Sequence, residues 1–129
     1  MLLDTTFLID AERGTYGLDD LIADDDDTAV AAITVAELLV GARLATGKRR
    51  AARQGFVDAV LAAIPIIVYD ARVAHAHASL LVAARRSGRP RGAHDLIIAA
   101  TAVASGRTVV TADPTGFDGL PDVELRRHR

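Results

Sequence analysis

Three acidic residues follow short apolar runs of the chain, where their carboxylates could act together. Asp4, Glu37 and Asp113 each come directly or shortly after such a run. In a parallel sheet covered by helices all strands end at one edge, so these side chains are expected to converge where such folds bind ligands. Carboxylates brought together from separate elements suit hard divalent cations such as Mg²⁺. The pattern favours hydrolysis by a metal-bound water, which requires no side-chain nucleophile.

The elements that must hold these acids alternate between short strands and helices. The predicted strands are residues 1–4, 28–33, 66–69 and 108–111, with 123–125 as a candidate edge strand. The predicted helices are 5–10, 16–23, one from Val35 limited by Gly41 and Gly47, 48–63, 70–86 and 95–105, the last two ended by Gly88 and Gly106. This alternation indicates a buried parallel sheet with right-handed crossovers. We predict a single domain over residues 1–129 with a three-layer α/β/α fold and four or five strands.

Helix capping is an alternative explanation for each acid. Asp4 and Asp95 could each cap the helix that follows, since Asp is a favoured N-cap. The segment Thr34–Glu37 fits a capping box, in which Glu37 would reach back to the Thr34 amide. Asp113 precedes Pro114, which fits an N-cap with Pro in the first helical position. The pattern alone leaves both explanations open, and it cannot place Asp95, which follows a basic loop, beside the other acids.

The charge distribution leaves a polyanionic partner open, although the formal net charge is -2. Six of the 17 acids fall between Asp19 and Asp27, so the rest of the chain has an excess of Lys and Arg. These basic residues cluster at 48–53, 85–91 and 126–129. A solvated helix face or a basic tail explains any one of these clusters equally well.

The amino-acid composition also indicates the cellular compartment in which the protein is expected. There is no Cys, which excludes disulfides, thiolate metal sites and Cys nucleophiles and is typical of a reducing compartment. No apolar run approaches the roughly 20 residues that cross a bilayer, and acids stand where a signal peptide would be basic. We expect a cytoplasmic protein without a membrane-spanning segment.

Four segments of the chain resemble the PIN-domain ribonucleases, and within them the VapC-type toxins of toxin-antitoxin modules. The matching segments are residues 2–6, residues 33–38 with Gly41, residues 94–100, and residues 110–113 with Phe117. Each is a weak motif alone, but the four occur in the family's order and span almost the whole chain. The resemblance implies a PIN-like fold, cleavage of RNA, a homodimer and an antitoxin partner.

The resemblance also implies a metal site. By position, Asp4, Glu37 and Asp95 match the family's first three acids, and Asp113 matches the acid after the fourth strand. The implied cofactor is Mg²⁺, with Mn²⁺ as a substitute, and Asp4 and Asp95 are the first choice as direct ligands. Thr6 and Thr111 match hydroxyl positions near the family's site. The chain departs from the pattern of many relatives at Gly116, where they have an acid before the Phe.

The basic loop that leads to Asp95 supplies candidates for RNA binding. It contains four arginines, Arg85, Arg86, Arg89 and Arg91. Positive charge here would lie beside the scissile phosphate. For Arg85 and Arg86 the alternative is compensation of the helix dipole at the end of the preceding helix.

Other classes of protein fit the sequence less well. A haloacid-dehalogenase-type phosphatase would have its second Asp where Thr6 stands, and a receiver domain would need a Lys after a later strand, where none occurs. A PIN-like scaffold that binds RNA or protein without cutting is the non-enzymatic alternative, and the presence of all four acids counts against it. The sequence does not predict which RNA is cut or where.

Overall fold

The computed structural model describes residues 1–14 and 27–127 as a parallel α/β structure. Its strands are Leu2–Leu3 (β1), Val30–Ala31 (β2), Ile66–Ile67 (β3), Val109–Thr111 (β4) and Leu125–Arg127 (β5). Its α-helices are Thr5–Arg13 (α1), Ala32–Leu44 (α2), Gly47–Ala63 (α3), Ala71–Ser87 (α4) and Ala93–Ser105 (α5), and a 3-10 turn spans Pro114–Gly116. The helix predicted over residues 16–23 lies outside the described residues.

All strand pairs in the described residues are parallel. β4 pairs with β1 on one side and with β5 on the other, and β2 pairs with β3. A parallel bridge between Leu2 and Ala29 joins the two groups in the order β3-β2-β1-β4-β5. The predicted parallel sheet is therefore confirmed, with five strands, although the edge strand lies two residues beyond the predicted 123–125.

Alternating side chains along the strands separate the core into two layers. Leu2 and Val109 point into one apolar cluster with α4 and α5, including Leu80 and Ile98. Leu3, Val30 and Val110 belong to a second cluster, which contains side chains of α1, α2 and α3. This alternation is the period of a β-strand, and it gives the predicted α/β/α layering.

Several element boundaries differ from the predictions, chiefly around β2. The strands contain two or three residues, and α2 starts at Ala32, inside the predicted strand 28–33. Gly41 lies within α2 and does not end it. Gly88 and Gly106 do end α4 and α5, with φ of 68° and 66°, in the left-handed region that Gly adopts readily. None of the described helices is long and apolar enough to span a membrane.

Candidate metal centre at the sheet edge

Asp4 is the most deeply buried of the four predicted acids, with 2% of its surface exposed. It follows β1 and caps α1, where its Oδ1 accepts the Phe7 amide at 2.9 Å. The Thr6 hydroxyl lies 3.0 Å from both carboxylate oxygens, and the Thr111 hydroxyl donates to Oδ2 at 2.7 Å. Thus both hydroxyls that the resemblance placed near the site contact Asp4. Burial raises the pKa of Asp4, these hydrogen bonds lower it, and the charge of Asp95 raises it further.

Asp95 lies in the first turn of α5, where an acid is favoured by the helix dipole. Burial, followed by the charges of Glu37 and Asp113, raises the pKa of Asp95, and His94 and Arg91 oppose this rise. Its carboxylate fits between two glycine backbones. A Cβ on Gly92 would lie 3.1 Å from Asp95 Oδ2, and a Cβ on Gly116 would lie 2.3 Å from it. Gly116, the departure from the family pattern, therefore provides the room that Asp95 occupies.

Glu37 lies in α2 and connects the starts of α1 and α5. Its Oε1 accepts the Thr5 hydroxyl at 2.8 Å, and its Oε2 lies 3.3 Å from His94 Nδ1. Neither Thr5 nor His94 was predicted from the sequence as a partner of this acid. Thr5 follows Asp4 and His94 precedes Asp95, so their adjacency to two predicted site acids was the signal in the sequence.

Asp113 follows β4 and is held by its own turn. Its Oδ1 accepts the Thr115 hydroxyl at 2.7 Å and the Thr115 amide at 3.2 Å. These two bonds, in that order, and the more distant charge of Arg127 lower the pKa of Asp113. Asp113 thus stays ionised while its charge acts on Asp95.

The capping interpretation is right for two acids and wrong for two. Asp4 and Asp113 are side-chain caps, and Pro114 occupies the predicted first position. The α2 helix starts before Thr34, so Thr34 is not its N-cap and the capping box with Glu37 does not form. The N-cap of α5 is Gly92, and Asp95 makes no side-chain capping bond. Capping therefore leaves Glu37 and Asp95 unexplained.

The four acids supply carboxylate oxygens, the ligand type that hard divalent cations prefer. Neither Asp4 nor Asp95 forms an ion pair with Lys or Arg within the described residues. The same part of the chain has no three His, Asp or Glu side chains placed to hold one ion together. Asp95 interacts electrostatically with each of the other three acids. Without a closed cage of three protein ligands, these acids could hold only a cation that keeps several waters, as Mg²⁺ does.

The four arginines of the α4–α5 connector divide into two pairs. Arg85 and Arg86 lie in the last turn of α4 with exposed side chains. The guanidinium groups of Arg89 and Arg91 instead donate to the carbonyl oxygens of Thr115 and Asp118. The second pair is thus bound to the loop after β4, whereas the side chains of the first pair are exposed at the end of α4.

The fold and these contacts define a parallel α/β protein with carboxylates gathered at one edge of its sheet. Residues 1–121 match the PIN domain, and the chain belongs to that family. Membership excludes the haloacid-dehalogenase and receiver-domain alternatives, whose folds belong to other families.

Individual relatives and solved structures agree with this assignment. The chain is 40% identical to the VapC ribonuclease Y4jK of Sinorhizobium fredii over 93 residues, which are 69% of this chain and 66% of that protein. It is 25% identical to a ribonuclease VapC of Rickettsia bellii over 97% of this chain and 93% of that one. Among solved structures, VapBC2 of Rickettsia felis bound to a promoter DNA fragment gives a TM-score of 0.87 at 26% identity, covering 99% of this chain and 98% of the other. VapBC-5 of Mycobacterium tuberculosis gives 0.80 at 31% identity, covering 98% and 97%.

Proposed function

We propose that this chain is a divalent-metal-dependent endoribonuclease that acts as the toxin of a toxin-antitoxin pair. The observation that carries the proposal is the electrostatic coupling of Asp95 with Asp4, Glu37 and Asp113. Within residues 1–14 and 27–127, neither Asp4 nor Asp95 has an arginine or lysine ion pair to offset it. Such charge is costly in the metal-free protein and is stabilised when a cation binds. The relatives named as ribonucleases supply the substrate class.

Asp4 and Asp95 would hold the ion, with Glu37 and Asp113 as direct or water-mediated partners. Bound Mg²⁺, or Mn²⁺ in its place, supplies a water of lowered pKa and neutralises charge on the phosphate. Thr6 and Thr111 orient the Asp4 carboxylate through their hydrogen bonds. Thr5 and His94 hold Glu37 from both sides, so its carboxylate is fixed between α1 and α5.

Arg85 and Arg86 are the proposed contacts to RNA phosphates. Both side chains are exposed, and they lie at the end of α4 that leads into the connector before Asp95. Removal of one phosphate contact should reduce the slope of log affinity against log salt by about 0.7 for single-stranded RNA. An unchanged slope in both Arg85→Ala and Arg86→Ala would assign them to dipole compensation.

Cleavage of RNA by Asp95→Asn tests the metal mechanism, with Asp70→Asn as a matched control. Asp70 caps α4 by accepting the Val73 amide at 3.1 Å, so its Asn variant changes a capping acid outside the cluster. The parent should cleave with Mg²⁺ or Mn²⁺ and stop with EDTA. Asp95→Asn should lose more than the roughly 10- to 100-fold that removal of an outer-shell partner costs. Asp70→Asn should cleave at the parent rate.

Two outcomes would reject the mechanism. One is cleavage by Asp95→Asn at the parent rate, and the other is cleavage that survives EDTA. A folded parent protein that binds RNA and never cuts it, under any divalent ion, would favour the non-cutting PIN-like scaffold.

The proposed partners are RNA, a cognate antitoxin and a second copy of the chain. The antitoxin proposal rests on structural similarity to VapBC complexes over nearly the whole chain. The homodimer proposal rests on the family resemblance, and exposed apolar residues such as Val68 and Tyr69 are available for it. Light scattering of the purified chain gives its oligomeric state.

A further inference from the structure

Arg89 and Arg91, which flank Pro90 in the α4–α5 connector, are tied to the loop that follows β4. Arg89 donates to the Thr115 carbonyl at 3.0 Å and to the Asp118 carbonyl at 3.3 Å. Arg91 donates to the Thr115 carbonyl at 3.4 Å and also to the Asp118 carbonyl. Each guanidinium therefore spans the same two backbone oxygens. Arg suits this geometry because it presents several N–H groups in a rigid plane.

The loop held in this way touches Asp95 at Gly116. The backbone of Gly116 lies so close that an added Cβ would be 2.3 Å from Asp95 Oδ2. The same loop begins with Asp113, whose charge acts on Asp95. A displacement of the loop would thus change the space around one acid and the position of another.

We propose, on the basis of the proposed metal-dependent function, that Arg89 and Arg91 are positioning residues that fix residues 113–119 against Asp95 and so set the metal-binding arrangement of the acids. This differs from the sequence-based hypothesis that both arginines contact RNA phosphates. The two terminal nitrogens of each guanidinium are engaged with backbone oxygens. Arg89 is exposed, whereas Arg91 is partly buried, and its Nε is shielded from solvent without a hydrogen-bond partner in the described residues.

The test measures two quantities in each variant, the Mg²⁺ concentration that cleavage requires and the salt dependence of RNA binding. Arg89→Ala, Arg91→Ala and the double variant should raise the Mg²⁺ concentration for half-maximal cleavage by about 10-fold, in the range of outer-shell changes at metal sites. Their slope of log RNA affinity against log salt, measured in EDTA, should equal that of the parent. Lys at either position keeps the positive charge but lacks the planar guanidinium group. Arg89→Lys and Arg91→Lys should therefore need the same raised Mg²⁺ concentration as the Ala variants.

Two control variants separate this role from other effects of losing an arginine. Arg72→Ala removes a different arginine that donates to a backbone carbonyl, that of Ala104, near the end of α5 remote from Asp95. It should leave the Mg²⁺ requirement unchanged. Arg85→Ala should show the opposite pattern to Arg91→Ala, with a lower salt slope and an unchanged Mg²⁺ requirement.

Hydrogen exchange provides a readout that does not depend on activity. The amides of Phe117 and Asp118 both donate to the Pro114 carbonyl, so they report on the loop directly. Their exchange should be faster in Arg89→Ala and Arg91→Ala than in the parent and in Arg72→Ala. If an Ala variant does not fold, the folded Lys variant gives the same comparison.

The outcomes separate this inference from the proposed function. Unchanged loop exchange together with a salt slope reduced by about 0.7 per arginine would overturn the positioning role and make both residues phosphate contacts. Rescue of the Mg²⁺ requirement by Lys would also overturn it, because charge alone would then suffice. If the parent neither cleaves RNA nor gains thermal stability with Mg²⁺, the proposed function fails, whereas faster loop exchange in the variants would still support the link between connector and loop.

Discussion

The Asp95 carboxylate makes the metal-free protein less stable as pH rises. A salt-bridged acid has the opposite effect, because it makes a protein more stable as pH rises. The pKa of Asp95 in the folded state is raised by burial, Glu37 and Asp113, so the unfolded state ionises first as pH rises. The free energy of unfolding therefore falls from about pH 4, the ordinary range of the group, up through the raised pKa, and it stays lower at neutral pH. In EDTA, Asp95→Asn should thus gain thermal stability relative to the parent between pH 4 and pH 7.

Thermal melts at both pH values, with and without Mg²⁺, measure this effect. Mg²⁺ should stabilise the folded parent at pH 7 by mass action, by about 2.7 kcal/mol at 100 times its dissociation constant, and so raise its melting temperature. The rise should shrink in Asp95→Asn and persist in Asp70→Asn. A parent that becomes more stable relative to Asp95→Asn as pH rises in EDTA would contradict a raised pKa of Asp95 in the folded state.

Gly116 offers a separate test at the residue scale, because its space is occupied by a side chain that can move. A Cβ there would lie 2.3 Å from Asp95 Oδ2 and 2.8 Å from its Cγ, so Gly116→Ala should displace the Asp95 carboxylate. We expect cleavage to fall by roughly 10- to 100-fold, the range for disturbing the surroundings of a metal ligand.

The control is Gly55→Ala in α3, where a Cβ meets nothing within 4 Å. It should add about 0.5–1 kcal/mol of stability and leave cleavage unchanged. Full activity in Gly116→Ala would show that Asp95 does not need its present position.

At the scale of the element, Asp4 combines a capping role with a proposed metal role, and two substitutions separate them. Asn retains an oxygen that can cap α1, whereas Ala removes the bond to the Phe7 amide. Asp4→Ala should therefore be less stable than Asp4→Asn by at least about 1 kcal/mol, while both lose cleavage. Urea denaturation of the folded variants measures the difference.

The matched pair Asp70→Asn and Asp70→Ala provides the control on α4. It should reproduce the stability difference of a capping acid without any loss of cleavage, since Asp70 caps α4 through the Val73 amide. Retention of cleavage in Asp4→Asn would show that Asp4 is a helix cap and not a metal ligand.

The layers and most helices were predictable because their signals are local. Apolar spacing along α4 and the glycines after α4 and α5 indicate these elements directly. The start of α2 was not predictable in this way. Its first residues, Ala32 and Ile33, continue the apolar run of β2, and such a run fits a strand or a buried helix equally well. That boundary error also produced the capping box that does not form.

Only two features of the sequence made the site predictable, namely the ends of the strands and the family resemblance. Asp4 and Asp113 follow their strands, so topology alone brings them to one edge. The hydrogen bond from Thr111 to Asp4 and the fit of Asp95 against Gly116 join segments far apart in sequence. No local pattern encodes such a contact, and the backbone bonds of Arg89 and Arg91 were missed for the same reason.

At the scale of the whole molecule, α2 exposes apolar side chains on the side opposite to the core. One face packs into the core through Leu38 and Ala42, yet Val40 and Leu44 on the other side are 55% and 78% exposed. A helix that is apolar nearly all round is normally covered on both sides. Leu44 also lines a cavity of about 290 Å³ together with Arg49 and Arg53. We expect the proposed antitoxin to contact the exposed apolar residues Val40 and Leu44, because amphipathic helices commonly bind apolar surfaces of their partners.

Growth assays test this assignment with cleavage as an independent measurement. Expression of the chain alone should arrest growth, whereas expression of Asp95→Asn should be harmless. Co-expression of the cognate antitoxin, sought as the product of the neighbouring small gene, should relieve the arrest.

Leu44→Lys places a charge on the apolar surface at an exposed position, so it should fold and cleave RNA as the parent does. Its antitoxin affinity should fall by about 10-fold or more, since each 1.4 kcal/mol of lost binding energy is a factor of ten. Arrest by Leu44→Lys would then persist at antitoxin levels that neutralise the parent. Equal neutralisation of both proteins would exclude this face of α2 from the antitoxin interface, and harmless expression of the folded parent would count against a free-acting toxin altogether.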